Sequence, residues 1–241
     1  MRSDGRDNIV TAVMIAAEGK VREVCLYFGG KLLRGCRATK SSSDALEAFA
    51  SPNAPALAEA GIRIRYLQED RRARGGKSLQ AGAFPDSAAP ADDSSEKTHS
   101  RRGSGLHLQE FAEVPVGVIK VFPGIQFEFF EQVMTDKLKG VVLETFGTGN
   151  VPSSQEALLH IIAKAHKSGS VIVALTQCAQ GQVSLGTYAA SSALVDIGAV
   201  DGGDMTTEAA LTKLYYLFSK GLSAEEIKAE VERDLRGERN E

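Results

Sequence analysis

Val141-Val-Leu-Glu-Thr145 and Val171-Ile-Val-Ala-Leu-Thr176 are two short apolar runs of strand length. Between them Leu158, Leu159, Ile161, Ile162 and Ala165 recur at helical spacing. Ser153 or Ser154 can cap that helix, and Lys167 and Gly169 end it. Strand, helix and strand at this length form a βαβ unit, whose strands run parallel. The pattern continues outward. Upstream, Val116-Gly-Val-Ile-Lys-Val-Phe122 reads as a strand, Pro123-Gly124 as a break and Ile125 to Met134 as a helix. Downstream come a helix from Ser191 to Asp196, a short strand at Ala199-Val200 and a helix from Glu208 to Lys220 capped by Thr206 or Thr207. A last charged amphipathic helix runs from Ala224 to Leu235. The expected architecture is α/β, with helices on both faces of a parallel sheet. Ligands of such sheets sit at the carboxyl ends of the strands, here Gly147–Asn150, Thr176–Cys178 and Asp201–Asp204.

The first part of the chain has a different pattern. Asp4 can cap a helix through Ile9, Val10, Val13, Met14 and Ala17, which Gly19 stops. Val24 to Phe28 reads as a strand, Gly29-Gly30 as a hairpin turn and Lys31 to Leu33 as the returning arm. The chain then presents Arg37, Thr39 and Lys40 on a short polar segment, where a rigid scaffold can hold functional groups. Asp44 within a Ser-rich stretch predicts a short helix from Ala45 to Ala50, ended by Pro52 and Pro55. Ile62-Arg-Ile-Arg-Tyr66 alternates as a strand with one solvated face. From Glu69 to Gly105 large apolar residues almost vanish, so residues 69–109 read as a disordered insert or linker. The basic pairs Arg71-Arg72 and Arg101-Arg102 within it read as solvated charge.

A formal charge of −3 over 241 residues gives no electrostatic footprint for nucleic acid. No stretch approaches the about 20 apolar residues that span a bilayer, and no signal peptide is evident, so a cytoplasmic location is expected. Three separated cysteines, Cys25, Cys36 and Cys178, make no disulfide framework, and His160 and His166 lack the spacing of metal ligands on one helix face. Asp201 and Asp204 in Asp201-Gly-Gly-Asp204 read as turn and cap residues, Asp204 beginning the cap of the next helix, rather than as metal ligands. No cofactor is implied.

Several short pieces carry a resemblance when taken in order. They are Arg2-Ser-Asp-Gly5, Glu23-Val-Cys-Leu-Tyr-Phe28, Leu33-Arg-Gly-Cys-Arg-Ala-Thr-Lys40 and Ala48-Phe-Ala-Ser-Pro-Asn53. Phe146-Gly-Thr-Gly-Asn150, Thr176-Gln-Cys178, Gly202-Gly-Asp-Met-Thr206 with Glu208-Ala-Ala210, and Leu235-Arg-Gly-Glu238 follow. Each alone is weak, but their order and spacing along nearly the whole chain resemble the cytoplasmic, type I L-asparaginases.

That resemblance implies the C-terminal portion of a longer enzyme. Residues 1–68 would be the end of a large α/β domain, and 110–241 a flavodoxin-like small domain of parallel βαβ units. The family places its nucleophilic threonine in a Thr-Gly-Gly-Thr loop and a second threonine beside an aspartate in a His-Gly-Thr-Asp-Thr segment. Neither occurs in these 241 residues. The family hydrolyses L-asparagine to L-aspartate and ammonia through an acyl-enzyme, and a lysine helps to move the protons. The match to Arg37-Ala-Thr-Lys40 makes Lys40 that lysine, the one catalytic residue expected here. The chain alone is then expected to be inactive, since a hydroxyl nucleophile and its base act as a unit.

The resemblance further implies a homodimer or homotetramer, and an asparagine effector site resembled by Asn150, Thr176 and Cys178. The plainer reading is that Asn150 and Thr176 satisfy turn backbone. Glu144, where relatives place an arginine that grips a carboxylate, would repel an effector's carboxylate. Cys36 stands where the family usually has asparagine. The competing reading is a non-catalytic amino-acid-binding or oligomerisation module, because this fold hosts many functions.

Overall fold

The computed structural model describes residues 3–67, 108–152, 155–186 and 189–240. The expected insert lies outside the described residues except for its last two positions, as do the candidate caps Ser153 and Ser154. The elements begin with α1 (Gly5–Glu18), β1 (Cys25–Phe28), β2 (Lys31–Arg34), β3 (Thr39–Lys40), β4 (Phe49–Ala50), β5 (Ala58–Ala60) and β6 (Ile64–Tyr66). They continue with β7 (Val116–Lys120), β8 (Gly140–Thr145), α2 (Gln155–Lys167), β9 (Val171–Thr176), α3 (Ala189–Asp196), β10 (Val200–Asp201), α4 (Thr207–Ser219) and α5 (Ala224–Val231).

β10, β9, β8 and β7 form a parallel sheet in that order, with Val141 beside Ile172 and Thr145 beside Thr176. Successive strand residues face opposite sides. Val141, Leu143 and Ile172 therefore pack with Leu158, Ile161, Ile162 and Leu194 of α2 and α3. Val142, Val171, Val173 and Leu175 pack with Leu214 and Leu217 of α4 and Ile227 and Val231 of α5. A strand covered on both faces is apolar over nearly its whole length, which is why residues 141–143 and 171–175 are unbroken and the polar Glu144, Thr145 and Thr176 stand only at the carboxyl ends. The α/β class expected from them is the one observed. Among the described residues no helix is long and apolar enough to cross a membrane.

Thr206 caps α4, its Oγ1 accepting the Ala209 N–H at 3.1 Å. Thr206→Ala strands that donor and is expected to lower stability by about 1 kcal/mol, read from the urea midpoint at unchanged slope.

The first part forms a separate antiparallel sheet ordered β1-β2-β5-β6, and β3 pairs with β4. The hairpin from β1 to β2 turns at Gly29 and Gly30, both at positive φ (56° and 81°), as a two-residue turn of matching twist requires. Gly19 ends α1 at φ 62°. Asp4 does not cap the backbone; its carboxylate instead accepts from the Asn8 side chain at 2.8 Å. The apolar stripe of α1 faces outward: Ile9, Val10, Val13 and Met14 are 67, 51, 63 and 53% exposed, and Ile15 is its buried residue.

Two expected helices are corrected. No helix forms from Ala45 to Ala50. Ser42 Oγ accepts the Asp44 and Ala45 N–H groups, and the Ala48 carbonyl accepts those of Ser41 and Ser42. These local bonds satisfy the backbone in a turn, and the chain then returns as β4. Ile125 to Met134 is a 3-10 turn (Phe127–Phe130) followed by a π turn (Val133–Lys137). Three phenylalanines in four residues lose rotamer freedom in a regular helix, while the irregular path buries Phe127 and Met134 fully.

Candidate active site

β2 passes through a 3-10 turn at Gly35–Arg37 and delivers Thr39 and Lys40 on β3. Lys40 pairs with Phe49 across β3 and β4. Its Nζ lies 4.8 Å from the Phe49 ring centroid and 6.0 Å from that of Phe28, and the two rings meet edge to face at 5.2 Å. Lys40 is exposed and, among the described residues, forms no ion pair. Beside it, Thr39 Oγ1 donates to Glu208 Oε1 at 2.7 Å. Glu208 lies in the first turn of α4, so Lys40 stands at the rim where the parallel strands end. A cavity of about 770 Å³ between Phe111–Pro115 and Tyr215, and one of about 470 Å³ between Met14 and Ile62, both lie elsewhere.

Arg37, expected on an open polar segment, is instead 2% exposed. Its guanidinium donates to both carboxylate oxygens of Asp204 (3.0 and 2.6 Å), to the Glu238 carbonyl (2.7 Å) and to the Asn53 carbonyl (2.8 Å). A planar fork of five donors suits such a site and an ammonium would not. Asp204 also accepts from the backbone N–H and side-chain amide of Asn240 at 2.9 and 2.7 Å. Burial pushes the Asp204 carboxyl up, but the Arg37 bonds and the Asn240 N–H outweigh it and hold it below the usual range. Asp204 is therefore not the helix cap expected of it; Thr206 is. Asp201 behaves as a turn residue, accepting from the Gly203 and Leu185 N–H groups. Asn53 ties a further loop to this junction by exchanging two hydrogen bonds with Gly181. Sequence reading missed the role of Asp204 because 167 positions separate it from Arg37.

A second buried pair secures the C-terminal segment. Lys213 Nζ meets Glu238 Oε1 at 2.6 Å, and the Glu238 carboxylate accepts the Leu235 and Arg236 N–H groups. Burial pushes Glu238 up, but Lys213 and the Leu235 N–H outweigh it and hold it at about 2. Burial pushes the Lys213 ammonium down against the pull of Glu238. Because the Glu238 carboxyl is depressed from 4.5, its contribution is present above about pH 4.5 and lost as pH falls toward 2. Acid titration of the unfolding free energy is expected to show a limb of about 2 kcal/mol there after allowance for solvent screening, flattened in Glu238→Gln.

Asn150, Thr176 and Cys178 stand at the ends of β8 and β9. Asn150 bridges back to Phe146, and Thr176 Oγ1 accepts the Cys178 N–H at 3.1 Å. That last bond is the turn-satisfying role weighed above. Glu144, near the end of β8, accepts from the Thr207 hydroxyl at 2.6 Å and meets Lys120 at 3.3 Å, so a cation balances its charge. Thr207 and Glu208, adjacent in α4, thus reach the β8 end and the Lys40 segment respectively. The two cysteines near this segment are unreactive in setting: burial pushes the Cys36 thiol up and that of Cys25 up to about 11.

Comparisons bear on this arrangement. The family model described as Asparaginase, N-terminal, matches residues 1–72, and that described as Glutaminase/Asparaginase C-terminal domain matches residues 115–230. L-asparaginase 1 of Escherichia coli (strain K12) is 37% identical over 239 residues, 99% of this chain and 62% of its own length. The human (Homo sapiens) 60 kDa lysophospholipase is 38% identical over 237 residues, 98% of this chain and 36% of its own length. The solved L-asparaginase I of Vibrio cholerae O1 biovar eltor superposes with a TM-score of 0.78 at 37% identity, over 100% of this chain and 64% of that one. The chain thus spans less than two thirds of the length of each of these proteins. The expectation of a C-terminal portion only is corrected, because the N-terminal family model matches residues 1–72. Matched along both of its parts by these two models, the chain belongs to the asparaginase family.

Proposed function

We propose that the chain serves an L-asparaginase-type amidohydrolase, which converts L-asparagine and water to L-aspartate and ammonia, with Lys40 as its proton-handling amine. The observation that carries this reading is the placement of Lys40: exposed at the rim of the parallel strands, without an ion-pair partner among the described residues. A positioned amine can take a proton from an attacking hydroxyl and return it to the leaving ammonia. These 241 residues contain neither Thr-Gly-Gly-Thr nor His-Gly-Thr-Asp-Thr. Residues 1–241 by themselves are therefore expected to release no ammonia from asparagine above the blank. Joined to the portion of the Escherichia coli enzyme outside the match, they are expected to release it. A folded joined protein without turnover would sink the reading.

The same reading treats residues 1–68 and 110–241 as two domains with 69–109 between them, supported by the two family matches. A cytoplasmic place in asparagine catabolism and assembly as a homodimer or homotetramer rest on the resemblance to type I enzymes.

A second reading, a non-catalytic amino-acid site at Asn150, Thr176 and Cys178, is favoured by their meeting at adjacent strand ends, with Asn150 and Cys178 exposed. The carboxylate of Glu144, held by Thr207 and Lys120, gives an amino acid's own carboxylate no anchor there. Calorimetry of residues 1–241 with millimolar L-asparagine is expected to show heat that Thr176→Val removes if this reading holds. A flat titration removes it.

A further inference from the structure

The segment that presents Lys40 is bonded to the parallel-sheet part of the molecule at nearly every step. Arg34 reaches the Gly237 carbonyl, Arg37 grips Asp204 and the Glu238 carbonyl, and Thr39 donates to Glu208. Between Arg37 and Thr39 only Ala38 intervenes. Within its own hairpin, by contrast, Lys40 rests on two strands of two residues each, β3 and β4. So short a ribbon does not fix a side chain by itself.

We propose that Arg37 and Glu208 are positioning residues for Lys40: they hold β3 in register with the N-terminal turn of α4 and so keep the amine over Phe49. The proposal rests on the reading of Lys40 as the proton-handling group. Two properties of the anchors suit the task. The buried Arg37 fork makes four hydrogen bonds to three groups, which fixes its orientation. The Glu208 carboxylate accepts from the residue adjacent to Lys40, so that bond couples the first turn of α4 to β3.

The test uses residues 1–241 labelled with 13C-lysine, with the Lys40 side-chain signal assigned through Lys40→Arg. Its Nζ lies 4.8 Å from the Phe49 ring centroid, so aromatic ring current should displace the signal. Arg37→Lys and Glu208→Ala are expected to return it toward the position of a free lysine, while Glu208→Gln, which keeps an acceptor oxygen, retains the displacement. Lys31, paired with Glu47 at 2.8 Å, is the internal control and is expected to stay put. Loss of stability alone would lower the melting temperature and leave the Lys40 signal where it is. An unmoved signal in Glu208→Ala, with the β9 amides still protected from exchange, overturns the proposal. Should Arg37→Lys fail to fold, Glu208→Ala and Glu208→Gln decide by themselves, since their bond is exposed. A moved signal with unchanged kcat in the joined protein would instead overturn the functional reading of Lys40 and leave the positioning intact.

Discussion

Lys40→Ala is expected to lower kcat for asparagine about 10²- to 10⁴-fold in the joined protein, the usual contribution of a positioned proton donor or acceptor. The fold should scarcely notice. Lys40 is exposed, forms no ion pair among the described residues, and joins β4 through its backbone, which alanine preserves. What is lost to the fold is the solvated cation–π contact with Phe49, worth about 0.5–1 kcal/mol, and the longer one with Phe28. Lys40→Arg is expected to fail nearly as badly as alanine. A guanidinium keeps charge and ring contact but does not give up its proton near neutral pH. Ammonia release measured beside thermal unfolding separates the two effects. Equal turnover in the parent and in Lys40→Ala would remove lysine from the chemistry.

Asp204→Ala is expected to cost about 3–5 kcal/mol of stability, because it leaves the Arg37 cation buried and unpaired. It also strands the Asn240 N–H and side-chain amide, which converge on the same carboxylate. Asp204→Asn keeps the shape but offers one acceptor oxygen to the Arg37 fork, and should fall between parent and alanine. The double replacement Arg37→Met with Asp204→Leu removes both charges, and is expected to be milder than Asp204→Ala alone, since the burial penalty disappears with the pair. Urea unfolding of the four proteins at pH 7 checks this. If Asp204→Ala shifts the midpoint by no more than an exposed ion pair would, less than about 1 kcal/mol, the junction is not the anchor described here.

Much of the fold was legible in order along the chain. β8 and β9 stood out because strands covered on both faces are apolar over most of their length, with polar residues only at the carboxyl ends. The β1–β2 hairpin showed in two glycines, because its turn needs positive φ twice, and the α4 cap was narrowed to Thr206 or Thr207, of which the structure uses Thr206. Each of these is a local constraint, imposed by a residue on its own backbone or on neighbours a few positions away. The Ala45–Ala50 error was local as well: a serine beside an aspartate can start a helix or close a turn, and the bonds of Ser42 and Ala48 chose the turn.

Composition and spacing alone gave no sign of the site's support. Arg37 in a polar run gave no hint of burial, since an arginine is buried only where distant acceptors satisfy its donors. Those acceptors come from Asn53, Asp204 and Glu238. By itself the sequence determined a parallel α/β layer, a preceding antiparallel hairpin and, through resemblance, Lys40 as the group to watch. Only the tertiary structure decided that Thr39, next to Lys40, bonds Glu208 in the first turn of α4 and that Arg37 and Asp204 lock the segment there. A strand or cap obeys the chain's own period, whereas a buried charge is stable only where partners from remote segments converge, and no local pattern records that convergence.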